Sequence, residues 1–336
     1  MRGIFFAGVP DLSQEFEKQT INNSQVELDL VGAKLDDNVE LPTLAIIFLV
    51  YVSWITLTYF FHEISLFPAL FLSALLICWH GSIQHEIIHR HPTRSQFLND
   101  VLAFPPLGLV YPYVIYKESH LEHHRVSDLT DPINDPESYY ISSERWQGMN
   151  PCLQALFRMN NTLLGRLLFG PLICVVGFYG GEFRRLLKGD YQNLKVWVFH
   201  LISVALVLSW VVGVCGISPL TYLLCFVYPG LSLTLLRSFA EHRPGLDYSE
   251  KSVVVEAGLL FQILFLNNNY HWVHHRYPGL PWYRIKDVYF ANKEIVLQAN
   301  NDFFFYGYGE VARKFLLVEK DLLVLADEIL TEERLA

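Results

Sequence analysis

His271-Trp272-Val273-His274-His275 repeats the spacing of an earlier stretch, His120-Leu121-Glu122-His123-His124. A first histidine box, His85-Glu86-Ile87-Ile88-His89, precedes both, and His242 lies between the second and third boxes. Positions i, i+3 and i+4 share one face of a helix, so each box can direct two or three imidazoles at one point. Nine imidazoles exceed what a single ion with four to six positions can use. The pattern predicts a two-metal centre built from distant segments.

The composition favours a membrane protein. The chain has 336 residues, of which 52% are hydrophobic and 18% charged, and its mean hydropathy is positive. Its net charge is −9 and it has no basic, aromatic-rich patch, so nucleic-acid binding has no support. The five cysteines form no C-x-x-C pair, which is typical of small buried side chains rather than of disulfides or a zinc ribbon.

Apolar segments predict the fold class: an all-α integral membrane protein with four transmembrane helices in two hairpins. About twenty residues cross a bilayer as a helix. The expected spans are residues 42–61, 64–84, 196–214 and 220–239. A further apolar stretch from Leu163 to Tyr179 contains Arg166 and Pro171, and we expect it to lie amphipathically at the membrane interface.

Two hairpins return the chain to one side of the membrane, where the three histidine boxes and both termini then lie. None of the 25 lysines and arginines falls in the short turns around 62–65 and 213–219, so the positive-inside rule makes the side of the boxes cytoplasmic. The expected domains are a cytoplasmic lead-in, 1–41, a catalytic membrane domain, 42–289, and a cytoplasmic helical cap, 290–336. In the cap, leucines 316, 317, 322, 323 and 325 have helical spacing. The first forty residues lack the features of a signal peptide.

Two other classes of protein compete with this interpretation. His85-Glu86-Ile87-Ile88-His89 matches the zinc-protease pattern H-E-x-x-H, but an intramembrane protease needs one metal and would leave the other boxes without a purpose. A metal transporter would place histidines along a path through the membrane. Here they cluster at one depth, and the centres of the spans carry no acidic residue.

The order HxxxH, HxxHH, HxxHH resembles the membrane fatty acid desaturase and hydroxylase superfamily, over a region from about Leu44 to Tyr289. The resemblance implies a non-haem di-iron centre that uses molecular oxygen and supplied electrons. Carried onto this chain, the metal ligands would be His85, His89, His120, His123, His124, His271, His274 and His275, with His242 matching an additional histidine found in many members.

The expected reaction is oxygen-dependent insertion of a double bond into an aliphatic substrate, a fatty acyl chain above all. A methylene C–H bond is inert to side-chain acids, bases and nucleophiles, whereas a pair of irons and oxygen can oxidise it. Hydroxylation by the same centre remains open. Residues 130–138 and Glu241-His242-Arg243-Pro244 resemble a bacterial branch of the superfamily, which includes alkene-forming decarboxylases of free fatty acids and desaturases of small amino-acid-derived metabolites. The bacterial inner membrane is the expected location.

Acidic and amide side chains near the boxes are candidates to support the metal ligands. These are Glu86, Glu122, Asp128, Asp131, Asp135, Glu137, Glu241, Asn267, Asn268 and Asn269. His62, His80 and His200 are not expected to be ligands. The chain resembles no cytochrome b5, flavin or cysteine-ligated iron module, so electrons should come from a separate partner such as a ferredoxin with its reductase.

Overall fold

The computed structural model describes residue 28 and residues 39–325, and in these residues the chain is mostly helical. The predicted lead-in, 1–41, lies almost entirely outside the described residues. The helices are α1 (Leu41–Tyr59), α2 (Leu66–Ile88), α3 (Gln96–Ala103), α4 (Tyr113–His123), α5 (Ser143–Gln147), α6 (Pro151–Asn160), α7 (Leu163–Leu187), α8 (Leu194–Leu208), α9 (Pro219–Tyr222), α10 (Tyr228–Glu241), α11 (Leu259–Leu264), α12 (His271–Arg276), α13 (Trp282–Ala291), α14 (Lys293–Ala299) and α15 (Tyr308–Phe315). Short parallel pairs join β1 (Ile141–Ser142) to β4 (Val324–Leu325) and β2 (Val254–Val255) to β3 (Phe304–Phe305).

Helices long and apolar enough to cross a membrane make the chain an integral membrane protein. The described part of the chain has five such segments: Leu41–Tyr59, Leu66–Ile88, Leu163–Leu187, Leu194–Val214 and Pro219–Glu241. Four correspond to the predicted spans. The fifth, α7, is longer than expected, because its helix continues past Tyr179 to Leu187. Large apolar side chains such as Phe48, Phe67 and Leu206 face outward from these helices, as lipid-facing residues do.

The second hairpin contains wide helical turns that the sequence did not predict. α8 continues into a π-helical stretch, Ser209–Val214, and another, Leu223–Val227, joins α9 to α10. Near these turns the two hairpins are tied by buried polar contacts. The indole of Trp54 donates to the hydroxyl of Tyr222 at 2.9 Å, and that hydroxyl donates in turn to the carbonyl of Leu107 at 2.8 Å.

α2 and α10 pack side by side, and a glycine lets them approach closely. A Cβ atom at Gly230 would lie 2.4 Å from the Cβ atom of Ile77, so no larger residue fits without a shift of the helices. One turn further along both helices, Gly81 faces Thr234, where a Cβ atom would lie 3.9 Å from the hydroxyl oxygen. The two helices therefore run parallel, and their last turns end at the same level.

The helix predicted from the C-terminal leucines is wrong. α15 ends at Phe315, and residues 316–323, all of them described, form no helix before β4 begins. Long-range hydrogen bonds hold this segment instead: the backbone N–H of Lys320 donates to the carbonyl of Asn161 at 2.9 Å, and the Asn161 amide donates to the carbonyl of Asp321 at 2.7 Å. These tertiary contacts override the spacing of the leucines.

Candidate metal centre

Helix ends deliver all nine of the singled-out histidines to one region. α2 carries His85 and ends just before His89. α4 carries His120 and His123 of the second box and ends just before His124. α12 contains the whole third box, and His242 directly follows α10. Seven of the nine side chains are buried, and those of His124 and His242 are partly buried. The histidines separate into two groups, which we name the first and second clusters.

The first cluster consists of His85, His89, His120, His124 and His274, one ligand atom from each lying within 4.8 Å of the others. The Nε2 atom of His120 lies 3.0 Å from that of His89 and 3.1 Å from that of His124. The Nε2 atoms of His124 and His274 are also 3.1 Å apart. Three separate parts of the chain thus contribute to this one group.

The second cluster consists of His123, His242, His271 and His275. The Nε2 atom of His242 lies 3.2 Å from that of His123 and 3.1 Å from that of His271. The Nε2 atoms of His271 and His275 are 3.1 Å apart. The two clusters adjoin, since the rings of His124 and His275 stack with their centroids 4.3 Å apart.

The contacts at the far side of the rings show which nitrogen carries the proton. His271 Nδ1 faces two acceptors, the Asn268 oxygen at 2.9 Å and a Glu241 oxygen at 3.5 Å, so this nitrogen carries a hydrogen. His242 Nδ1 faces the carbonyl oxygen of Lys251 at 3.3 Å, which assigns it a hydrogen as well. In the neutral rings the Nε2 atoms, 3.1 Å apart, then face each other with lone pairs. Such an arrangement is repulsive unless a cation lies between them, so this donor set fits a metal ion.

Burial keeps most of these imidazoles neutral and able to coordinate. Together with the neighbouring rings, it lowers the pKa of His89, His124, His271, His274 and His275 well below the ordinary value. It also lowers the pKa of His242 to about 3. At His123 burial acts in the same direction, but Glu137 and Asp135 outweigh it and raise the pKa.

Two carboxylates orient histidines of the second box and supply negative charge. Asp135 lies 2.8 Å from His123 Nδ1, and Glu137 lies 3.0 Å from His120 Nδ1. Burial opposes their ionisation, but the adjacent histidines lower the pKa of Asp135 and bring that of Glu137 to about 2. Both acids are therefore ionised at neutral pH, and a site of neutral imidazoles with flanking carboxylates suits a cation.

Five other predicted supporting residues divide into two groups. Asn268 contacts both clusters, because its oxygen faces His271 and its nitrogen lies 3.4 Å from His85 Nε2. Glu241 contacts His271 as described above. The remaining three have their hydrogen bonds elsewhere: Glu86 accepts from the backbone N–H of Trp282, Asp131 accepts from those of Ile133 and Asn134, and Asn269 donates to the carbonyl of Val255.

Several groups beside the clusters have no signal in the amino-acid sequence. Tyr248 lies with its hydroxyl 3.2 Å from His275 Nδ1, and the Lys251 carbonyl supports His242. The positions of Tyr248 and Lys251 depend on how the segment after His242 folds back, and this segment has no periodic pattern in the sequence. A further group of Glu40, Glu86 and His91 lies beside the first cluster, with His91 Nδ1 2.6 Å from Glu40. His91 follows the first box by two residues and was not singled out.

The H-E-x-x-H pattern does not have the geometry of a protease site. His85 and His89 both belong to the first cluster, together with three histidines from the later boxes. The carboxylate of Glu86 accepts from the Trp282 backbone at 2.9 Å and lies 3.8 Å from His91. It is thus engaged away from the point where a protease would need it to activate water.

Comparison with known protein families gives a match over most of the chain. The family model described as "Fatty acid desaturase" matches residues 62–307, more than two thirds of the chain, and the matched region includes all nine clustered histidines. No curated protein matches the chain.

Proposed function

The chain belongs to the fatty acid desaturase family, a family of oxidoreductases, and on this premise we propose that it inserts a double bond into a fatty acyl chain with two iron ions and molecular oxygen. Two hydrogens leave adjacent carbons of the substrate. Oxygen, two electrons and two protons combine with them to form two waters. The electrons come from a separate donor such as a ferredoxin with its reductase.

The close spacing of the Nε2 atoms in both clusters carries this proposal, together with the facing lone pairs of His242 and His271 in the second cluster. Ligands at right angles on a metal with bonds of about 2.1 Å are about 3.0 Å apart, whereas tetrahedral ligands are about 3.4 Å apart. Five of the six Nε2 contacts, at 3.0–3.1 Å, are closer to the first value, and the sixth, at 3.2 Å, lies midway between the two values. The five imidazoles of the first cluster also exceed the four ligands of a structural zinc, which favours an ion such as iron that accepts more than four.

The residues of the chain have distinct tasks in this proposal. The first cluster holds one ion and the second cluster the other, and an iron pair supplies the oxidising power that a methylene C–H bond demands. Asp135 and Glu137 keep the Nε2 atoms of His123 and His120 directed at the ions, and their charges offset part of the metal charge. Burial of the rings excludes bulk water, which would otherwise consume the oxidant.

We assign four crossings of the membrane rather than five, with α7 at the interface. His123 precedes α7 and His242 follows α10, yet their Nε2 atoms are 3.2 Å apart. An even number of crossings must separate them, and α8 with the α9–α10 segment already supplies two. A crossing by α7 would leave His242 on the opposite side of the membrane.

α7 packs against α10: the carbonyls of Leu168 and Leu167 accept hydrogen bonds from the hydroxyls of Tyr228 and Ser232. In the four-crossing arrangement the clusters, both chain ends and the cap, residues 290–336, lie at the cytoplasmic face of a bacterial inner membrane, and the catalytic domain is 42–289.

Product analysis tests the proposed reaction. The wild-type chain and a His275→Ala variant are expressed in a host with a simple lipid profile, and fatty acids, hydrocarbons and polar metabolites are compared by mass spectrometry. New unsaturated acyl chains are expected only with the wild type. His62→Ala serves as the matched control, because His62 lies at the opposite end of the first hairpin, beside Gly216, and should leave the products unchanged. Equal product from His275→Ala would overturn the proposal.

The same experiment distinguishes desaturation from hydroxylation. A double bond lowers the product mass by two hydrogens, whereas a hydroxyl group adds one oxygen. Terminal alkenes or a dehydrogenated polar metabolite would identify the reactions of the bacterial branch that the sequence resembles. Each product therefore has its own mass signature.

A further inference from the structure

Arg237 is a buried cation at the level of the metal centre. It lies on α10 and is 8% exposed. The packing of α10 against α2 pairs Gly230 with Ile77 and Thr234 with Gly81. Three residues beyond the pair Gly81 and Thr234 on each helix are Gln84 and Arg237, so this packing places Arg237 beside Gln84, the residue before the first histidine box.

The guanidinium group has more donors than the protein satisfies. Its Nε atom lies 2.9 Å from a carboxylate oxygen of Glu241, one turn later on the helix, and its side chain also contacts the hydroxyl of Tyr116. Among the described residues, Nη1 is buried and has no hydrogen-bond partner, and the contact of Nε with Glu241 is an ion pair without hydrogen-bond geometry. A guanidinium carries five N–H donors in a rigid plane, and a buried donor that makes no hydrogen bond is unfavourable.

Glu241 and Tyr116, the two residues that Arg237 contacts as described above, each contact a cluster as well. The Glu241 oxygen that pairs with Arg237 lies 3.5 Å from Nδ1 of His271 in the second cluster. The ring of Tyr116 lies 6.0 Å, centroid to centroid, from that of His120 in the first cluster. Arg237 is therefore one residue removed from both clusters.

The charges around the clusters call for an additional anion. In the part of the chain that the structure describes, the carboxylates hydrogen-bonded or ion-paired with the clustered histidines are Asp135, Glu137 and Glu241. Two divalent ions and Arg237 together exceed them by two positive charges. If Arg237 served only to neutralise Glu241, it would leave this excess of positive charge uncompensated. If Arg237 binds an anionic substrate, the charge of the substrate compensates part of the excess.

We propose that Arg237 binds the carboxylate of a free-acid substrate and holds its carboxyl end beside the two clusters. A guanidinium matches a carboxylate with two parallel hydrogen bonds. An acyl thioester has no negative charge at that carbon and cannot form this contact. The inference rests on the proposed function and specifies its substrate: a free acid whose oxidised carbons lie near the carboxyl group.

Competition binding tests the site without relying on turnover. Tritiated hexadecanoic acid is bound to the purified full chain, both iron-loaded and chelator-treated, and is displaced by hexadecanoic acid, methyl hexadecanoate or hexadecanol. The acid should displace the label at concentrations about 10- to 100-fold lower than the ester or the alcohol. In Arg237→Gln this preference should fall to near unity while the ester binds as before.

Three variants make the result interpretable. Arg166→Gln is the matched control: Arg166 is equally buried and also has an unpartnered Nη2, but it lies over the ring of Tyr139 instead of beside the clusters. Arg166→Gln should keep the preference. Arg237→Lys should keep part of it. If Arg237→Gln alone does not fold, the double variant Arg237→Gln with Glu241→Gln removes both charges of the ion pair and should bind acid and ester alike.

The outcomes separate this inference from the proposed function. If the wild type does not prefer the acid over the ester, or if Arg166→Gln loses this preference as fully as Arg237→Gln does, the role of Arg237 is refuted. Desaturation of an acyl thioester would also refute the free-acid substrate, but it would leave the proposed desaturase function intact. A preference for the acid that depends on Arg237, without any double bond in the products, would leave the carboxylate site standing and refute the proposed reaction.

Discussion

Asp135→Asn is the most informative single change at the metal centre. One oxygen of Asp135 accepts from His123 Nδ1 at 2.8 Å and from the backbone N–H of Glu137 at 2.9 Å. The other oxygen accepts from the backbone N–H of Thr130 at 2.9 Å. An asparagine has one oxygen only. Keeping the two contacts of the first oxygen turns its NH2 group toward the N–H of Thr130, so two donors face each other in a buried site.

Two magnitudes follow from this geometry. The unsatisfied N–H of Thr130 should lower the free energy of unfolding by about 1–3 kcal/mol. The loss of a carboxylate behind His123 should weaken metal binding at the second cluster by roughly 10- to 100-fold. Because the pKa of Asp135 lies below its ordinary value, the wild-type carboxylate is fully charged at neutral pH and the change removes a whole charge.

The assay is retention of iron during titration with a chelator, followed by thermal unfolding of the metal-free protein. Asp131→Asn is the matched control, because both of its backbone contacts, to Ile133 and Asn134, go to one oxygen and survive the exchange. It should keep wild-type iron affinity and stability. Iron affinity in Asp135→Asn that equals that of Asp131→Asn would refute the role given to Asp135.

Three further predictions concern stability and metal retention. The pKa of His242 is about 3 in the folded protein and near 6.5 in the unfolded chain, so the unfolded chain binds a proton at higher pH than the folded protein does. Each such histidine therefore lowers the free energy of unfolding, by up to about 1.4 kcal/mol per pH unit, as the pH falls between these two values. The unfolding temperature of the chelator-treated protein should fall between pH 7 and pH 5, and an unchanged unfolding temperature would contradict this prediction. Gly230→Ala should reduce the folded yield, because its Cβ atom has no room, whereas Gly177→Ala in open space should not, as size-exclusion chromatography in detergent can check. Lys320→Met removes a buried ammonium that donates to the backbone carbonyl of His242, and it should lower iron retention about tenfold. Lys314→Met removes a half-exposed lysine that contacts Glu310 and the ring of Phe305, away from the clusters, and should retain iron as the wild type does.

The histidine boxes could be predicted because their information is local. Helical spacing alone places two or three rings of a box on one side, and the apolar runs before His85 and His242 determine where those rings emerge. The positions of the long helices also follow from composition, since an uncharged run of about twenty residues has few alternatives.

Other features depend on contacts between distant segments and left no local signal. The leucines near residue 320 have helical spacing, but the hydrogen bonds to Asn161 hold that segment in an irregular, non-helical path. Asp131 and Asp135 looked equivalent in the sequence, yet only Asp135 reaches a histidine, because the turn at Asp131 directs that carboxylate to its own backbone. Arg237 could be located only through the packing of two helices that are far apart in the chain.

Metal counting tests the central claim most directly. Protein purified with iron and analysed by inductively coupled plasma mass spectrometry should contain about two irons per chain, and His242→Ala, which removes a ligand from the second cluster alone, should retain about one. A single zinc per chain, unchanged by His242→Ala, would contradict the two-cluster centre and the chemistry proposed for it.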